Sequence, residues 1–304
     1  MICVRKVEDL VSLVRSRQGP VTVACAAPDD AESLEALRMA TDAGIARPLA
    51  VGRQSAIITV ARALGISLDG FEFHDVPDAA ETARQATALV RQGAASILMK
   101  GHLPTKTVIR AVLDHDTGLR TGRMLSHVAL FDAPPMRKPV VVTDAGVNIR
   151  PSLSQKIEII KNAAEVVRKL GVRLPKVAML TAVEYVELPA MPATLDAKLI
   201  ERMSEAGLLG ELVVQGPLAL DDAVSAEVVR SKGLAGPVVG EADILVAPEI
   251  ETANVLYKAL TCFAGLEGAS IIWGARAPVV VPARADTARM KFRSIVFAAA
   301  MIEA

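Results

Sequence analysis

The chain has 304 residues, and its 34 lysines and arginines are balanced by 34 aspartates and glutamates, so its formal net charge is +0. That balance excludes a global field that would attract a nucleic-acid backbone or an anionic membrane surface. Aromatic residues make up only 3% of the chain, which argues against binding of single-stranded nucleic acid on stacked rings. Any anion site must therefore be local.

The N-terminal stretch "MICVRKVEDLVSLVRSRQG" mixes both charge signs every few residues. This pattern indicates an amphipathic helix rather than a signal peptide. No uninterrupted apolar run elsewhere approaches the roughly 20 residues that span a bilayer. We therefore expect a cytoplasmic protein. The cysteines Cys3, Cys25 and Cys262 are isolated in the sequence, so they predict small apolar side chains rather than a disulfide or CxxC pair.

Short β-branched runs alternate with helical patterns in the first third of the chain. The strands are "VTVACAA", "RPLAVG", "FEFHDV" and "ASILMK", and helical spacing of apolar residues covers residues 30–43 and 79–92. This alternation is typical of βαβ units, in which a largely parallel sheet is covered by helices.

A Pro-rich turn in "HVALFDAPPMRKPVVVTDAG" separates two strand-like runs and predicts the passage into a second unit. The further strands expected there are "KVAMLTA", "ELVVQG", "ADILVAP" and "ASIIW", with helices over residues 154–170, 194–206, 221–232 and 252–263. The chain then finishes with one more strand and a long apolar helix. Such a helix must pack on something, and the first unit is one possibility.

Polar residues follow several of these strands. Open α/β sheets bind ligands beyond the carboxyl ends of their strands, where loops and helix N-termini favour negative charge. The segments "MKGHLPTKT", "VTDAGVNIRPS", "VAPEIETANVLYK" and "VPARADT" lie in such positions. Together they carry Lys100, Thr105, Asp144, Asn148, Glu249, Asn254, Arg284 and Asp286. The pattern suits a phosphate or phosphoryl ligand.

Several common motifs are absent. "KGHLPTKT" lacks the second glycine and the Gly-Lys-Thr order of a Walker A loop, and no GxGxxG follows a strand. The four histidines show no HExxH and no metal-ligand spacing, and no GxSxG nucleophile elbow is present. We therefore expect no metal site.

Taken in order, six segments resemble the phosphate acetyltransferase and phosphate butyryltransferase family. They are "MKGHLPTKTVIRAVLDHDTGLRTGRMLSHVALFD", "VTDAGVNIRPSLSQKIEIIKNAAEV", "PKVAMLTAVE", "QGPLALDDAVS", "KGLAGPVVGEADILVAPEIETANVLYKAL" and "ARADTARMKFRSI". With "MPATLDA", the pattern is similar to the phosphate acyltransferase portion of enoyl-CoA hydratase/phosphate acetyltransferase fusions. The resemblance covers about two thirds of the chain.

The resemblance implies a reversible reaction in which coenzyme A and an acyl phosphate give acyl-CoA and inorganic phosphate. It implies two doubly wound α/β domains with a cleft between them, similar to the isocitrate/isopropylmalate dehydrogenase-like fold. The first domain would comprise residues 1–131 and 272–304, including the C-terminal helix, and the second residues 132–271. It also implies a homodimer, with coenzyme A as a substrate and no metal or prosthetic group.

The family's catalytic Ser-Arg pair matches Ala283-Arg284. Arg284 would hold the acyl phosphate and stabilise oxyanion charge, since its planar fork suits phosphate oxygens. Ala283 departs from the family's serine at this position. The hydroxyl of Thr287 is a candidate to replace the hydroxyl of that serine. The family's acidic base for the thiol falls at Met290, which cannot accept a proton. Asp286 is then the candidate base, with N-cap of the final helix as the alternative.

Further substrate-binding residues follow from the resemblance. On the first domain they are Lys100, Thr105, Arg110 and Arg123, with Arg120 as an alternative to Arg123. On the second domain they are Asn148, Asn254, Tyr257 and Lys258, although Lys258 equally fits an ordinary surface lysine.

Two other functions stay open at this point. Ala283 and Met290 raise the possibility of a protein that binds coenzyme A or an acyl phosphate but has lost turnover. Fold similarity alone suggests an NAD-dependent dehydrogenase, for which we find no Mg²⁺-binding aspartate cluster in the sequence.

Overall fold

The computed structural model describes residues 4–17, 19–134 and 136–302. The chain divides into two compact units. One, here called the N-terminal unit, comprises residues 8–123 together with the C-terminal segment from residue 269. The other, the central unit, comprises residues 124–268 and the short segment that ends at Val7. Cys3 lies outside the described residues, Cys25 is buried and Cys262 is exposed.

The first part of the N-terminal unit alternates helices and parallel strands. In chain order these are α1 (Asp9–Arg17), β1 (Val21–Ala26), α2 (Ala31–Asp42), β2 (Ala46–Gly52), α3 (Gln54–Leu64), β3 (Glu72–Asp75), α4 (Ala79–Arg91), β4 (Ile97–Lys100) and α5 (Thr105–Val112). Asp30 and Asp78 start α2 and α4, because each side chain accepts a hydrogen bond from a backbone N–H in the first turn. Strand β1 is paired in parallel with both β2 and β4.

The central unit is also an α/β structure. Its elements are β5 (Ser126–Asp132), β6 (Pro139–Thr143), α6 (Leu153–Lys169), β7 (Lys176–Leu180), α7 (Ala193–Glu205), β8 (Val213–Leu218), α8 (Leu220–Val224), α9 (Ala226–Lys232), β9 (Ile244–Val246) and α10 (Ile250–Lys258), which continues as a π-helical turn, Ala259–Phe263. The strand order is β5-β6-β9-β7-β8. All pairs are parallel except the β5–β6 hairpin.

The last segment completes the N-terminal unit with β10 (Ala269–Trp273), β11 (Val279–Val280) and α11 (Ala288–Ala300). Strand β11 lies parallel to β4 and antiparallel to β10, so the strand order of this unit is β3-β2-β1-β4-β11-β10. Helix α11 packs on α2 and β10. Its buried apolar side chains, including Ile295 and Phe297, explain its composition.

The predicted α/β class is confirmed, and several details differ from the sequence analysis. Both strands of the Pro-rich hairpin lie in the central unit, and the units divide at 123/124 and 268/269 instead of at 131/132 and 271/272. Strand β10, "ASIIW", therefore belongs with the N-terminal unit. The single helix expected over residues 221–232 is two, because Ser225 is extended and caps a new helix by accepting the Val228 N–H.

Among the described residues, no helix has both the length and the apolar character needed to cross a membrane.

Candidate active site

Backbone hydrogen bonds connect the loops that follow β1 and β4. The N–H of Gly101 donates to the Ala26 carbonyl at 2.9 Å, and the N–H of His102 donates to the Ala27 carbonyl at 2.7 Å. Position 101 requires glycine because a Cβ there would lie 2.1 Å from the Ala27 carbonyl oxygen. This close approach fixes the side chains that follow both strands.

A pocket of about 270 Å³ opens at this edge of the sheet. We call it the polar pocket. It is lined by the loops after β1, β4 and β11 and by α11, so it lies where parallel strands deliver their carboxyl ends. Its lining residues are Asp30, Glu32, Lys100, Gly101, His102, Leu103, Ala283, Arg284 and Lys291.

Lys100 is a buried residue of the predicted site. It ends β4, is only 7% exposed, and its ammonium donates to the neighbouring Gly101 carbonyl at 3.2 Å. Burial, followed by repulsion from the Lys291 charge, lowers the pKa of Lys100 below its ordinary value. A buried cation near a second cation favours an anion in the space between them.

Lys291 is a second buried lysine, on α11. Its ammonium donates to Asp30 Oδ1 at 2.8 Å and to Ser33 Oγ at 3.2 Å. Burial alone would raise the pKa of Asp30, but hydrogen bonds from Lys291 and Ser33 outweigh it and lower that pKa. The ion pair thus joins α11 to the start of α2 at the pocket.

Arg284 lies on the loop after β11, exposed and on the wall of the polar pocket. The turn that carries it is held by Asp286, which is 7% exposed and accepts the Ala283 N–H at 2.8 Å. The N-cap of α11 is Thr287, which accepts the Met290 N–H at 3.2 Å, so the alternative that made Asp286 the cap is wrong.

A histidine and an aspartate meet at the same edge. His102 Nδ1 lies 3.7 Å from Asp29 Oδ1, and the two side chains are 62% and 23% exposed. That Asp29 oxygen is itself buried and accepts no hydrogen bond within the described part of the chain.

Three predicted residues of the N-terminal unit do not line the polar pocket. Thr105 begins α5, Arg110 lies in its last turn, and Arg123 precedes β5; all three are exposed. The structure therefore does not place them with Lys100 and Arg284 in the polar pocket.

The remaining predicted residues belong to the central unit. Asn148 Nδ2 donates to the Leu125 carbonyl at 2.8 Å and to Asp144 at 2.6 Å, which ties the loop after β6 to the start of β5. Asn254 Nδ2 donates to the Ala145 carbonyl at 3.1 Å. Both amides therefore hold the loop that follows β6.

Tyr257 is a core residue of the central unit. It is 7% exposed and makes edge-on contacts with His127 and Phe131, at centroid distances of 5.8 and 5.3 Å. Lys258 places its ammonium 5.2 Å from the Tyr257 ring centroid, a cation–π contact.

The central unit has a cavity of its own, of about 860 Å³, which we call the apolar cavity. It follows the carboxyl ends of β7, β8 and β9. Most of its lining is aliphatic, including Leu195, Leu220 and Val255, and Lys156 and Asp196 on its wall are paired with each other at 2.6 Å.

The sequence analysis did not single out Asp29, Asp30 and Lys291 as site residues. The signal for the aspartates was present, since "PDD" directly follows a predicted strand. Lys291 lies in an apolar helix, and a single lysine there gives no sign of a site role until its partner, Asp30, is known. Within the described residues, no cluster of three or more His, Cys, Asp or Glu side chains is arranged to hold a metal.

The fold and the polar pocket define an α/β protein with a cluster of charged side chains at the carboxyl ends of its parallel strands. Residues 76–299 match the family model described as phosphate acetyl/butaryl transferase. The chain is 40% identical over 296 residues to the phosphate butyryltransferase of Clostridium acetobutylicum, which covers 97% of this chain and 98% of that protein. It is 36% identical over 292 residues to the phosphate acetyltransferase of Thermotoga maritima, covering 96% and 98%.

The structure is also similar to that of a branched-chain phosphotransacylase from Enterococcus faecalis V583, with a TM-score of 0.81 and 34% identity, over 92% of this chain and 98% of that one. This chain therefore belongs to the phosphate acetyl/butyryl transferase family, and it is a transferase. The family expected from the sequence is confirmed, and the dehydrogenase alternative is set aside.

Proposed function

We propose that this chain reversibly transfers a short acyl group between coenzyme A and inorganic phosphate, so that acyl-CoA and phosphate give coenzyme A and an acyl phosphate. The observation that carries the proposal is the polar pocket, which gathers Lys100, Lys291 and Arg284 in a chain with no net charge. Because Lys291 is paired with Asp30, the charges of Lys100 and Arg284 are the ones left to face an anion. Relatives named for butyryl and for acetyl transfer support a short acyl chain.

In this proposal Arg284 acts on the phosphoryl oxygens and on the oxyanion of the tetrahedral intermediate. Its exposure leaves both terminal nitrogens available for a bidentate contact. Lys100 contributes a fixed charge from the enclosed side of the pocket, where water screens it least. Stabilisation of developing charge by groups already in place is the main source of rate enhancement in acyl transfer.

For Asp286 we propose a positioning role. Its carboxylate accepts the Ala283 N–H and so fixes the turn that presents Arg284. The Thr287 hydroxyl is bonded to the first turn of α11, which makes it a poor substitute for the family serine at position 283. The oxyanion then depends mainly on Arg284.

The other predicted binding residues keep subsidiary roles in the proposal. The exposed Thr105, Arg110 and Arg123 suit the solvent-exposed phosphates of coenzyme A. Asn148 and Asn254 support the loop after β6, while Tyr257 and Lys258 support the core and surface of the central unit.

The direct test is thiol consumption when the purified protein meets coenzyme A with acetyl, propionyl or butyryl phosphate in buffer containing a chelator. We expect transfer with at least one of them, without an added cofactor. Folded protein that binds coenzyme A but transfers none of the three would instead favour the alternative of a binding protein without turnover.

We also propose a homodimer formed through the face of the central unit that carries the apolar cavity. Leu195, Leu220 and Val255 line the cavity and are 36%, 39% and 69% exposed. Exposed aliphatic residues gathered in one place favour burial against a partner. Sedimentation of the wild-type protein should give twice the mass of one chain. The Val255→Asp variant should sediment with the mass of a single chain. A wild-type chain that sediments as a monomer would contradict this proposal.

The cytoplasm remains the proposed location.

A further inference from the structure

We propose that His102 is the base that takes the proton from the coenzyme A thiol, and that Asp29 positions its imidazole. The inference rests on the proposed acyl transfer and assigns the thiol proton to a residue other than Asp286, the candidate base of the sequence analysis. Met290, at the position of the family's acidic base, is a thioether that is 8% exposed. It has no site for the thiol proton.

The other groups near the pocket suit the step less well. Asp286 is buried and its carboxylate accepts the Ala283 N–H. Asp30 is held in the ion pair with Lys291 through Oδ1, which also accepts the Ser33 N–H, and its Oδ2 is buried. Protonated Lys100, Lys291 and Arg284 are donors only. Among the pocket residues this leaves Glu32, which is exposed in the first turn of α2, and His102.

Imidazole is the better match for a thiol. General-base efficiency is greatest when the base titrates near the working pH, and histidine is the side chain that ordinarily does so. A carboxylate is ordinarily weaker as a base by about two pH units, so Glu32 transfers the proton with a smaller driving force.

The geometry around His102 supports this role. Its backbone N–H is fixed on the Ala27 carbonyl at 2.7 Å, on the side of the pocket where Lys100 ends β4. Its Nδ1 is 3.7 Å from Asp29 Oδ1, a buried oxygen without a hydrogen-bond donor in the described structure. A small rotation of the exposed ring gives that oxygen its donor. Nδ1–H then faces the carboxylate and Nε2 is left as the proton acceptor.

The step balances without another reactant. Nε2 accepts the S–H proton, and the sulfur electron pair attacks the acyl carbonyl carbon to form the C–S bond. The intermediate collapses with cleavage of the C–O bond, and its electron pair stays on the phosphate oxygen. The imidazolium then gives its proton to the departing phosphate, which returns His102 to the neutral form.

The charged groups around the pocket that holds His102 come from five elements. Asp29, Asp30 and Glu32 lie on the loop after β1 and on α2, Lys100 is on β4, Arg284 and Asp286 are on the loop after β11, and Lys291 is on α11. A pH profile must therefore be interpreted against variants of the carboxylates as well as of the histidine.

The test compares His102→Gln with wild type in transfer from the acyl phosphate that the wild-type enzyme uses best, between pH 6 and pH 9. We expect kcat to fall by about 10²-fold near pH 7, with KM for the acyl phosphate changed little, because a general base contributes roughly 10²- to 10⁴-fold. The deficit should shrink toward pH 9, because a thiol with a pKa near 8.5 then ionises without a base.

Three further variants sharpen the result. Asp29→Asn should lower kcat and leave KM for the acyl phosphate little changed, because the imidazole loses the carboxylate that orients its Nδ1–H. Glu32→Gln should not reproduce the pH-dependent deficit of His102→Gln, since a single base is expected to carry the step. His115→Gln is the matched control, because His115 contacts Asp116 at 2.8 Å but both are over 80% exposed and outside the pocket.

The outcomes separate the two proposals. An inactive wild-type chain overturns the acyl transfer and this inference together. An active wild type whose His102→Gln variant keeps its turnover, or loses the same fraction at every pH, overturns the inference alone. A large loss in Glu32→Gln with none in His102→Gln assigns the base to Glu32 and also overturns it.

Discussion

The polar pocket and the apolar cavity occupy equivalent places in their units and have opposite chemistry. Each follows the carboxyl ends of parallel strands, yet the polar pocket has about 270 Å³ and three cationic side chains, whereas the apolar cavity has about 860 Å³ and a mostly aliphatic lining. The edge of a sheet determines where a cavity forms. The side chains after each strand determine whether it suits an anion or an apolar partner.

The largest expected effect tests whether the polar pocket alone carries the chemistry. Arg284→Ala removes the fork proposed for the phosphoryl group, and loss of one such donor lowers kcat by about 10²- to 10³-fold. Thiol consumption with the best acyl phosphate measures it. Arg289→Ala is the control, because Arg289 is exposed on the same segment and is paired with Glu8 at 2.9 Å. Near-normal turnover in Arg284→Ala would remove the polar pocket from the mechanism.

The second prediction concerns a substitution that displaces the backbone of the polar pocket. Gly101→Ala places a Cβ 2.1 Å from the Ala27 carbonyl oxygen, and a backbone atom cannot move aside cheaply. We expect a loss of stability of about 1–3 kcal/mol. Turnover should fall about 100-fold because a displacement near 1 Å disturbs catalytic groups.

Thermal unfolding and kcat measure these two changes. Gly19→Ala, with no heavy atom within 4 Å of the added Cβ, provides the comparison. Equal effects in the two variants would show that the contact between the loops is not needed.

The third prediction separates activity from stability. Burial and the Lys291 charge lower the pKa of Lys100, so between that lowered value and the ordinary 10.5 the unfolded chain binds more protons than the native one. Stability therefore rises with pH across that interval, and Lys100 destabilises the native state below it.

Lys100→Met should accordingly unfold at a higher temperature at pH 7, and its stability should depend less on pH as the pH approaches 10.5. Turnover should fall by roughly 10- to 100-fold as a charged hydrogen bond to substrate is lost. Differential scanning calorimetry over this pH range, with parallel assays, measures both. A lower unfolding temperature would show that Lys100 stabilises the empty pocket.

The smallest expected effect concerns the departure from the family's serine. Ala283→Ser should leave kcat equal or raise it by up to about tenfold, since an added hydroxyl that is free to rotate supplies only part of the roughly 10²- to 10³-fold effect of a fixed oxyanion donor. Initial rates with acetyl, propionyl and butyryl phosphate measure it. A large loss would mean that alanine is adapted to another acyl phosphate.

The sequence was most informative where a residue's role depends on its neighbours along the chain. The α/β alternation and the family followed from local patterns, and Lys100 and Arg284 were found because each follows a strand. Residues whose role depends on a distant partner were missed. Lys291 matters through Asp30, a residue 261 positions away.

Closeness in the sequence also does not ensure closeness at the pocket. Thr105 and Arg110 lie close to Lys100 in sequence, but helix α5 presents both at the exposed surface. The break between α8 and α9 was missed because Ser225 fits a helix by composition, although its hydroxyl favours a new N-terminus.

The N-terminal unit is built from two segments that are far apart in the sequence, and this has a consequence for biosynthesis. The polar pocket takes Asp30 from near the start of the chain and Arg284 and Lys291 from near its end. A ribosome therefore releases most of the protein before any anion site exists. Until β11 and α11 dock, β4 lacks its parallel partner and Asp30 lacks the Lys291 ammonium that balances its charge. The nascent N-terminal segment therefore offers a partly open sheet edge on which chaperones and proteases can act.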